Sequence, residues 1–195
     1  MNIEREVKMK SLSRLSLFTL SFLSAAVCSA SLIDIDQSTA KTSFVAVGKP
    51  AMLRIHGESE GVVSKLTIEN KLVSGDVNVH LDKFKTGIET RDEHMKKKYL
   101  EVEKFPDAIL KIKDLSVSDL KAGSKKDLTF KAELTLHGVT KEVEVKSKLE
   151  ALSDTKYKIQ ASANIKLSDF KIDIPSYAGI KVADSVDFDV QFQTK

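Results

Sequence analysis

Leu128-Thr129-Phe130-Lys131-Ala132-Glu133-Leu134-Thr135-Leu136 alternates apolar and polar side chains without a break and then gives way to His137-Gly138. Successive side chains of a β-strand point to opposite faces, so Leu128, Phe130, Ala132, Leu134 and Leu136 would share an interior face, with Thr129, Lys131, Glu133 and Thr135 in water. A helix would scatter the same residues around its circumference. The glycine-containing pair that follows is a turn signal. Beyond it the alternation resumes, with Val143 and Val145 set against Glu142, Glu144 and Lys146. The stretch reads as one arm of an antiparallel hairpin.

The same period extends in both directions. Tyr157, Ile159, Ala161, Ala163, Ile165 and Leu167 alternate with Lys158, Gln160, Ser162, Asn164 and Lys166, and Val186, Phe188, Val190 and Phe192 repeat the pattern at the C-terminal end. Upstream, Val77, Val79 and Leu81 stand against Asp76, Asn78, His80 and Asp82. Shorter strands are expected near 32–36, 43–48, 51–57, 62–69 and 108–117, with turns at Gly61, Asn70-Lys71, Ala122-Gly123-Ser124, His137-Gly138 and Ser153-Asp154. Eight or more antiparallel strands in one domain predict an all-β sandwich or closed barrel, and closure removes exposed edges.

One segment breaks the alternation. Residues 91–100, Arg91 to Leu100, read as a single short helix, with Thr90 as its cap and Glu93 as a capping-box partner. Acidic residues at its start and Lys96-Lys97-Lys98 at its end suit the helix dipole. Phe105-Pro106 then imposes an extended chain.

The N-terminus has the three parts of a secretory signal: basic Lys8, Lys10 and Arg14, an apolar run from Leu15 to Val27, and small residues at Cys28-Ser29-Ala30. The apolar run is shorter than the roughly 20 residues a membrane-spanning helix needs. Glu4 and Glu6 are unusual in such a region, and a translation start at Met9 would remove them. Residues 1–30 are thus expected to be cleaved, leaving a domain over 31–195 that is periplasmic or secreted and has no membrane span. Ala25-Ala26-Val27 before Cys28 lacks the residues of a lipidation box, so a free protein is expected.

Removal of the signal takes away the chain's one cysteine and leaves 27 basic against 26 acidic side chains. No disulfide, thiolate nucleophile or cysteine-ligated metal is then available. A nearly neutral, mixed surface argues against nucleic acid as a partner.

Constellations for catalysis are weak. His56, His80, His94 and His137 lack ligand spacing, and the sequence has no G-x-S-x-G elbow, phosphate-cradling glycine loop or H-E-x-x-H. Acids such as Asp34/Asp36 and Asp184/Asp187/Asp189 sit at strand spacing that normally gives a solvated face. No catalytic residue, metal ligand or cofactor is assigned, and the chain is not expected to be an enzyme. Small residues on the inward faces (Gly75, Ala132, Ala161, Ala163) leave room among large ones (Phe130, Phe188, Phe192), which either opposing side chains or a ligand would fill.

Three segments, in order, resemble the YceI-like family of polyisoprenoid-binding proteins. The first runs from Ser74-Gly75-Asp76-Val77 to Thr86 and on into Thr90-Arg91-Asp92-Glu93-His94-Met95. Next comes Tyr99-Leu100-Glu101-Val102-Glu103-Lys104-Phe105-Pro106-Asp107-Ala108-Ile109-Leu110. The third is Ala132-Glu133-Leu134-Thr135-Leu136-His137-Gly138-Val139-Thr140-Lys141-Glu142-Val143. The likeness covers about Leu32 to Phe192 and includes Ser168-Asp169-Phe170-Lys171-Ile172. The chain departs from the family pattern at Leu100, Leu110 and Lys171, where Phe, Phe and Gly are commoner.

The resemblance implies an eight-stranded antiparallel lipocalin-like barrel with one short helix. It also implies a tunnel that sequesters or carries a polyisoprenoid, an isoprenoid quinone or a fatty-acid-like lipid. The candidate lining is Val77, Val79, Phe130, Ala132, Leu134, Val143, Val145, Ala161, Ala163, Phe188 and Val190. A homodimer is compatible with this reading. The alternative is a periplasmic stress or interaction module with a filled core and no ligand.

Overall fold

The computed structural model describes residues 30–49, 53–153, 155–177 and 180–195. The expected signal therefore lies outside the described residues, apart from Ala30. The strands are β1 (Ser31–Ile33), β2 (Ile35–Lys49), β3 (Leu53–Ser59), β4 (Val62–Glu69), β5 (Leu72–His80), β6 (Asp107–Ser116), β7 (Lys125–Leu136), β8 (Val139–Ala151), β9 (Tyr157–Lys166), β10 (Ser176–Tyr177) and β11 (Ile180–Thr194). Among the described residues the α-helix is α1 (Glu89–His94), which continues into a wide π turn over Met95–Tyr99. Among the described residues no helix is long and apolar enough to cross a membrane.

The hairpin that decides the fold forms as its sequence dictates. β7 and β8 pair residue by residue from Leu136↔Val139 back to Lys125↔Glu150. Their two-residue turn needs positive φ at both positions, and His137 (φ 51°) and Gly138 (φ 73°) supply it. A Cβ on Gly138 would meet the Phe105 ring at 2.7 Å, so the position is closed to larger residues by contact as well as by conformation.

All described strands belong to one antiparallel sheet, ordered β1-β4-β5-β6-β7-β8-β9-β11-β2-β3, with β10 pairing β11 beside this path. Its two ends are pieces of the same chain. β1 passes into β2 through Asp34 alone, and β3 into β4 through Glu60-Gly61. β2 pairs β3, β1 pairs β4, and this bent double strand connects the β5 side of the sheet to the β11 side. The sheet therefore curls around a central space. Glu58 and Lys85 add a bridge across the seam, exchanging both backbone hydrogen bonds at 2.9 Å.

Among the described residues the expected count of eight strands is corrected to eleven. The two N-terminal strands each break where the chain bends and changes pairing partner, and β10 is only two residues long. Gly61, expected as a turn between reversing strands, is instead such a bend. Nor is the wall a continuous ladder. β6 pairs β7 only at Ile109–Lys111, and the strands diverge beyond that, where Lys113 Nζ donates to Glu133 Oε1 at 2.7 Å.

The helix begins earlier than Thr90 would place it, with Ile88 as its cap residue and no side-chain cap bond. Asp92 serves the turn before it: its carboxylate accepts from the Thr86 backbone N–H at 2.8 Å and from the Thr86 hydroxyl. After His94 the helix widens, because Leu100 N–H bonds the Met95 carbonyl at 2.9 Å and Val102 N–H bonds that of Lys96 at 3.0 Å. The helical segment then closes at Glu101, which takes a left-handed φ of 44°.

Candidate functional site

The alternation places one apolar residue in two on the inner face, and the register stacks them in rows. Phe130 faces Val145, while Phe44, Phe188 and Ala163 stand opposite one another across β2, β11 and β9. The next row runs Leu128, Ser147, Ala161, Val190, Thr42 and Ser59. Phe84, which follows β5, swings in against Phe44 and Phe188 with ring centroids 5.4 and 5.9 Å away. Gly57 makes this possible: a Cβ there would stand 2.1 Å from the Phe44 ring.

These faces do not meet. They enclose a cavity of about 840 Å³, within the range of sites that bury a ligand, lined almost entirely by apolar side chains. It extends from Val117, Leu120 and Tyr157 at one end of the sheet to α1 at the other. Along β11 the wall runs from Ile180 to Thr194, roughly 45 Å of strand at about 3.3 Å per residue. Strand tilt in a barrel-like sheet shortens that to about 35 Å along the axis.

Val77, Val79, Phe130, Leu134, Val143, Val145, Ala161, Ala163, Phe188 and Val190 all line this cavity. Ala132 does not. It lies on the same face of β7 and is buried, but it does not border the open space.

The sequence reading missed the far wall, where Leu66, Ile68, Leu110, Ile112 and Leu115 face inward from β4 and β6. It also missed the role of the helix, whose Ile88, Arg91, His94, Met95, Lys98 and Tyr99 turn toward the mouth. Their spacing of three and four residues is the signal that could have revealed this face.

Charge is sparse inside. Among the described residues the wall carries no carboxylate, and its cations are Arg91 and Lys98, with His94 beside them, all at the helix end. Arg91 is fixed by Thr86: its Nε donates to the hydroxyl and its Nη2 to the carbonyl, each at 2.7 Å.

Groups with displaced pKa values all lie away from the wall. The Lys104 ammonium and the His137 ring hold Glu101 below the usual carboxylate range. Ser168 does the same for Asp184 through its hydroxyl and backbone N–H. Burial and the neighbouring Asp187 raise Asp189. His137, between Glu101 Oε2 at 3.0 Å and the Phe170 carbonyl at 3.2 Å, ties the β7–β8 turn to two loops. His80 pairs with Asp107 at 2.5 Å on the outer face. Among the described residues no three His, Cys, Asp or Glu side chains gather as a metal site.

The same architecture occurs in solved structures. A polyisoprenoid binding domain from Saccharophagus degradans superposes with a TM-score of 0.67 at 17% identity, covering 86% of this chain and 98% of that one. BcnA from Burkholderia cenocepacia superposes with a TM-score of 0.66 at 18% identity, covering 83% of this chain and 100% of that one. At such identities the likeness is one of fold. No curated protein matches the chain. The profile of the YceI-like domain matches residues 33–194, which takes in the whole curled sheet apart from its extreme ends, and the chain therefore belongs to the YceI-like family.

Proposed function

We propose that the protein is an exported binding protein that holds a long apolar molecule, such as a polyisoprenoid, an isoprenoid quinone or a fatty-acid-like lipid, inside its curled sheet. The observation that carries this reading is the apolar cavity of about 840 Å³. Transfer of an alkyl or prenyl chain from water into such a space stabilises the complex by about 25 cal/mol per Å² of apolar surface, or roughly 10 kcal/mol for 400 Å² before ordering costs. No strong polar contact is required, and tunnel length and width set selectivity.

The cavity also weighs against the alternative of a filled-core interaction module. Catalysis would need polar groups converging on a reacting atom, whereas the described wall offers no carboxylate and its titratable groups sit at the two ends. Export rests on residues 1–30. β1 opens at Ser31, so cleavage there leaves every described strand intact. A homodimer is compatible with this reading.

The direct test is titration of the cleaved protein with a C20 isoprenoid alcohol, followed by displacement of a fluorescent apolar probe. Saturable one-to-one displacement is expected; none at any concentration would refute the reading. N-terminal sequencing of the exported protein should begin near Ser31, and a retained residue 1 or 9 would refute the signal.

A further inference from the structure

We propose that the rim of the cavity beside α1 docks on a bilayer surface rich in anionic phospholipid, so that an apolar ligand passes between membrane and bore without crossing water. The inference rests on the lipid-binding reading and adds the partner with which the ligand is exchanged.

Among the described residues, Leu53 (44% exposed) and Ile88 (51% exposed) are the large hydrophobic side chains that are strongly exposed and also line the cavity. Both stand at one rim. The Glu58–Lys85 bridge is antiparallel, so the chain from Lys85 to Ile88 runs back along β3 toward its start at Leu53. Leu53 pairs with Gly48 at the end of β2, and Gly48 with Val182 near the start of β11, where the Ile180 side chain packs close against the glycine. An apolar lip continuous with an apolar bore sets no polar barrier between a membrane and the interior. Passage through water would forfeit the transfer free energy that holds the chain.

The charge around this lip is one-sided. Lys49 and Arg54 bracket it on β2 and β3, Lys181 lies on β11, and α1 with its π turn adds Arg91 and Lys96 to Lys98. Against these seven cations stand three acids, Glu89, Asp92 and Glu93, so the rim carries an excess of four basic groups where residues 31–195 as a whole carry an excess of one. Lys171 and Asp173, on the approach to β10, cancel. Among the described residues Lys49, Arg54 and Lys181 have no ion pair or side-chain hydrogen bond. Lys49 and Lys181 stand directly opposite each other across β2 and β11, a like-charge pair that opposes folding and that an anionic surface would relieve. Exposed apolar side chains among unpaired cations are what an anionic interface binds, whereas a neutral bilayer would leave the cations without counter-charge.

Flotation of the cleaved protein with vesicles of phosphatidylcholine alone, and with vesicles in which about a third of the phospholipid is phosphatidylglycerol, tests the docking. At low salt binding should be at least about tenfold stronger to the anionic vesicles, and the preference should shrink as salt rises. Arg54→Glu combined with Lys181→Glu should lower anionic-vesicle binding at least about tenfold, since each basic residue near such a surface raises partition about fivefold. Displacement of the apolar probe by the C20 alcohol in solution should stay as it was, because neither residue lines the cavity. Lys181→Glu also gives Lys49 an opposite charge to face, so this variant should unfold in urea no more easily than the unaltered protein. Leu53→Ser, which leaves every charge in place, should weaken vesicle binding without altering its salt dependence and keeps the test open if the charge variant folds poorly.

Equal binding to the two kinds of vesicle, or binding to neither, by unaltered protein that still takes up the C20 alcohol would overturn the docking proposal and leave the lipid reading standing. Anionic-vesicle binding undiminished in both variants would overturn the assignment to this rim. Glycerol 3-phosphate bound as tightly as the vesicles would mark a site for the free anion and overturn it too. If the C20 alcohol is not taken up, the lipid reading fails and the proposal falls with it.

Discussion

Ala161→Trp separates a container from a filled shell. Ala161 lies on β9 between Ser147 of β8 and Val190 of β11, part-way along the wall, and its methyl faces the cavity. An indole there projects into open space rather than into packed side chains. It would remove roughly 200 Å² of apolar contact from a chain threaded past it. At about 25 cal/mol per Å² the ligand loses about 5 kcal/mol, and since about 1.4 kcal/mol is tenfold in affinity, binding should weaken by about three decades or more.

The protein itself should unfold in urea within about 1 kcal/mol of the unaltered chain, because the ring displaces nothing. Ala132→Trp is the matched contrast. Ala132 is 5% exposed and off the cavity, so the ring must force the wall apart, at a cost of about 1–3 kcal/mol. The assay pairs lipid titration with urea unfolding on both variants. Undiminished lipid uptake by Ala161→Trp would refute a bore at that point, whatever Ala132→Trp does.

Gly138→Val combines a positive φ of 73° with a Cβ 2.7 Å from the Phe105 ring and should cost at least about 1–3 kcal/mol in urea unfolding; a neutral outcome would sink the turn assignment. Lys171 occupies a left-handed conformation (φ 56°, ψ 30°), and Lys171→Gly should raise stability by about 1 kcal/mol, while a loss would show that the lysine side chain contributes more than its backbone strain. Glu101 and Asp184 have folded pKa values below their unfolded ones, so the stability they contribute is present above the unfolded value and is lost as pH falls through the folded one. The urea midpoint should drop between about pH 5 and pH 3, by less when Glu101→Gln and Asp184→Asn are combined; an unchanged slope would remove them as its source. Asp189 acts in the opposite sense: its raised pKa opposes folding as pH rises through that value, and Asp187→Asn should lessen the penalty.

Period-two alternation was enough to orient β5, β7, β8, β9 and β11, because each has one face in the cavity and one in water. It says little about where a strand bends. Asp34 and Gly61 interrupt pairing through backbone geometry set by the neighbouring strands, and a local sequence signal cannot tell such a bend from a turn. The helix was legible as a helix but not as a wall. Its cavity face mixes Ile88, Met95 and Tyr99 with Arg91, His94 and Lys98, so the apolar stripe is interrupted, and the lysines at 96–98 belong to different faces although adjacent in sequence.

The three departures from the family pattern gain a meaning from the structure. Leu100 and Leu110 line the cavity at positions where a phenylalanine ring would take more room, and Lys171 holds the left-handed conformation that a glycine adopts without strain. Ala132 shows the limit of face assignment: being on the inward side of a strand does not guarantee contact with the space that the strands enclose.

A lipid that occupies the inside of the sheet in the cell should stay with the protein through purification. Native mass spectrometry on protein purified from its own host tests this most directly. A complex one apolar molecule heavier than the cleaved polypeptide is expected, releasing a long-chain lipid on collisional activation. The bare polypeptide mass alone, from protein that never met detergent, would contradict it.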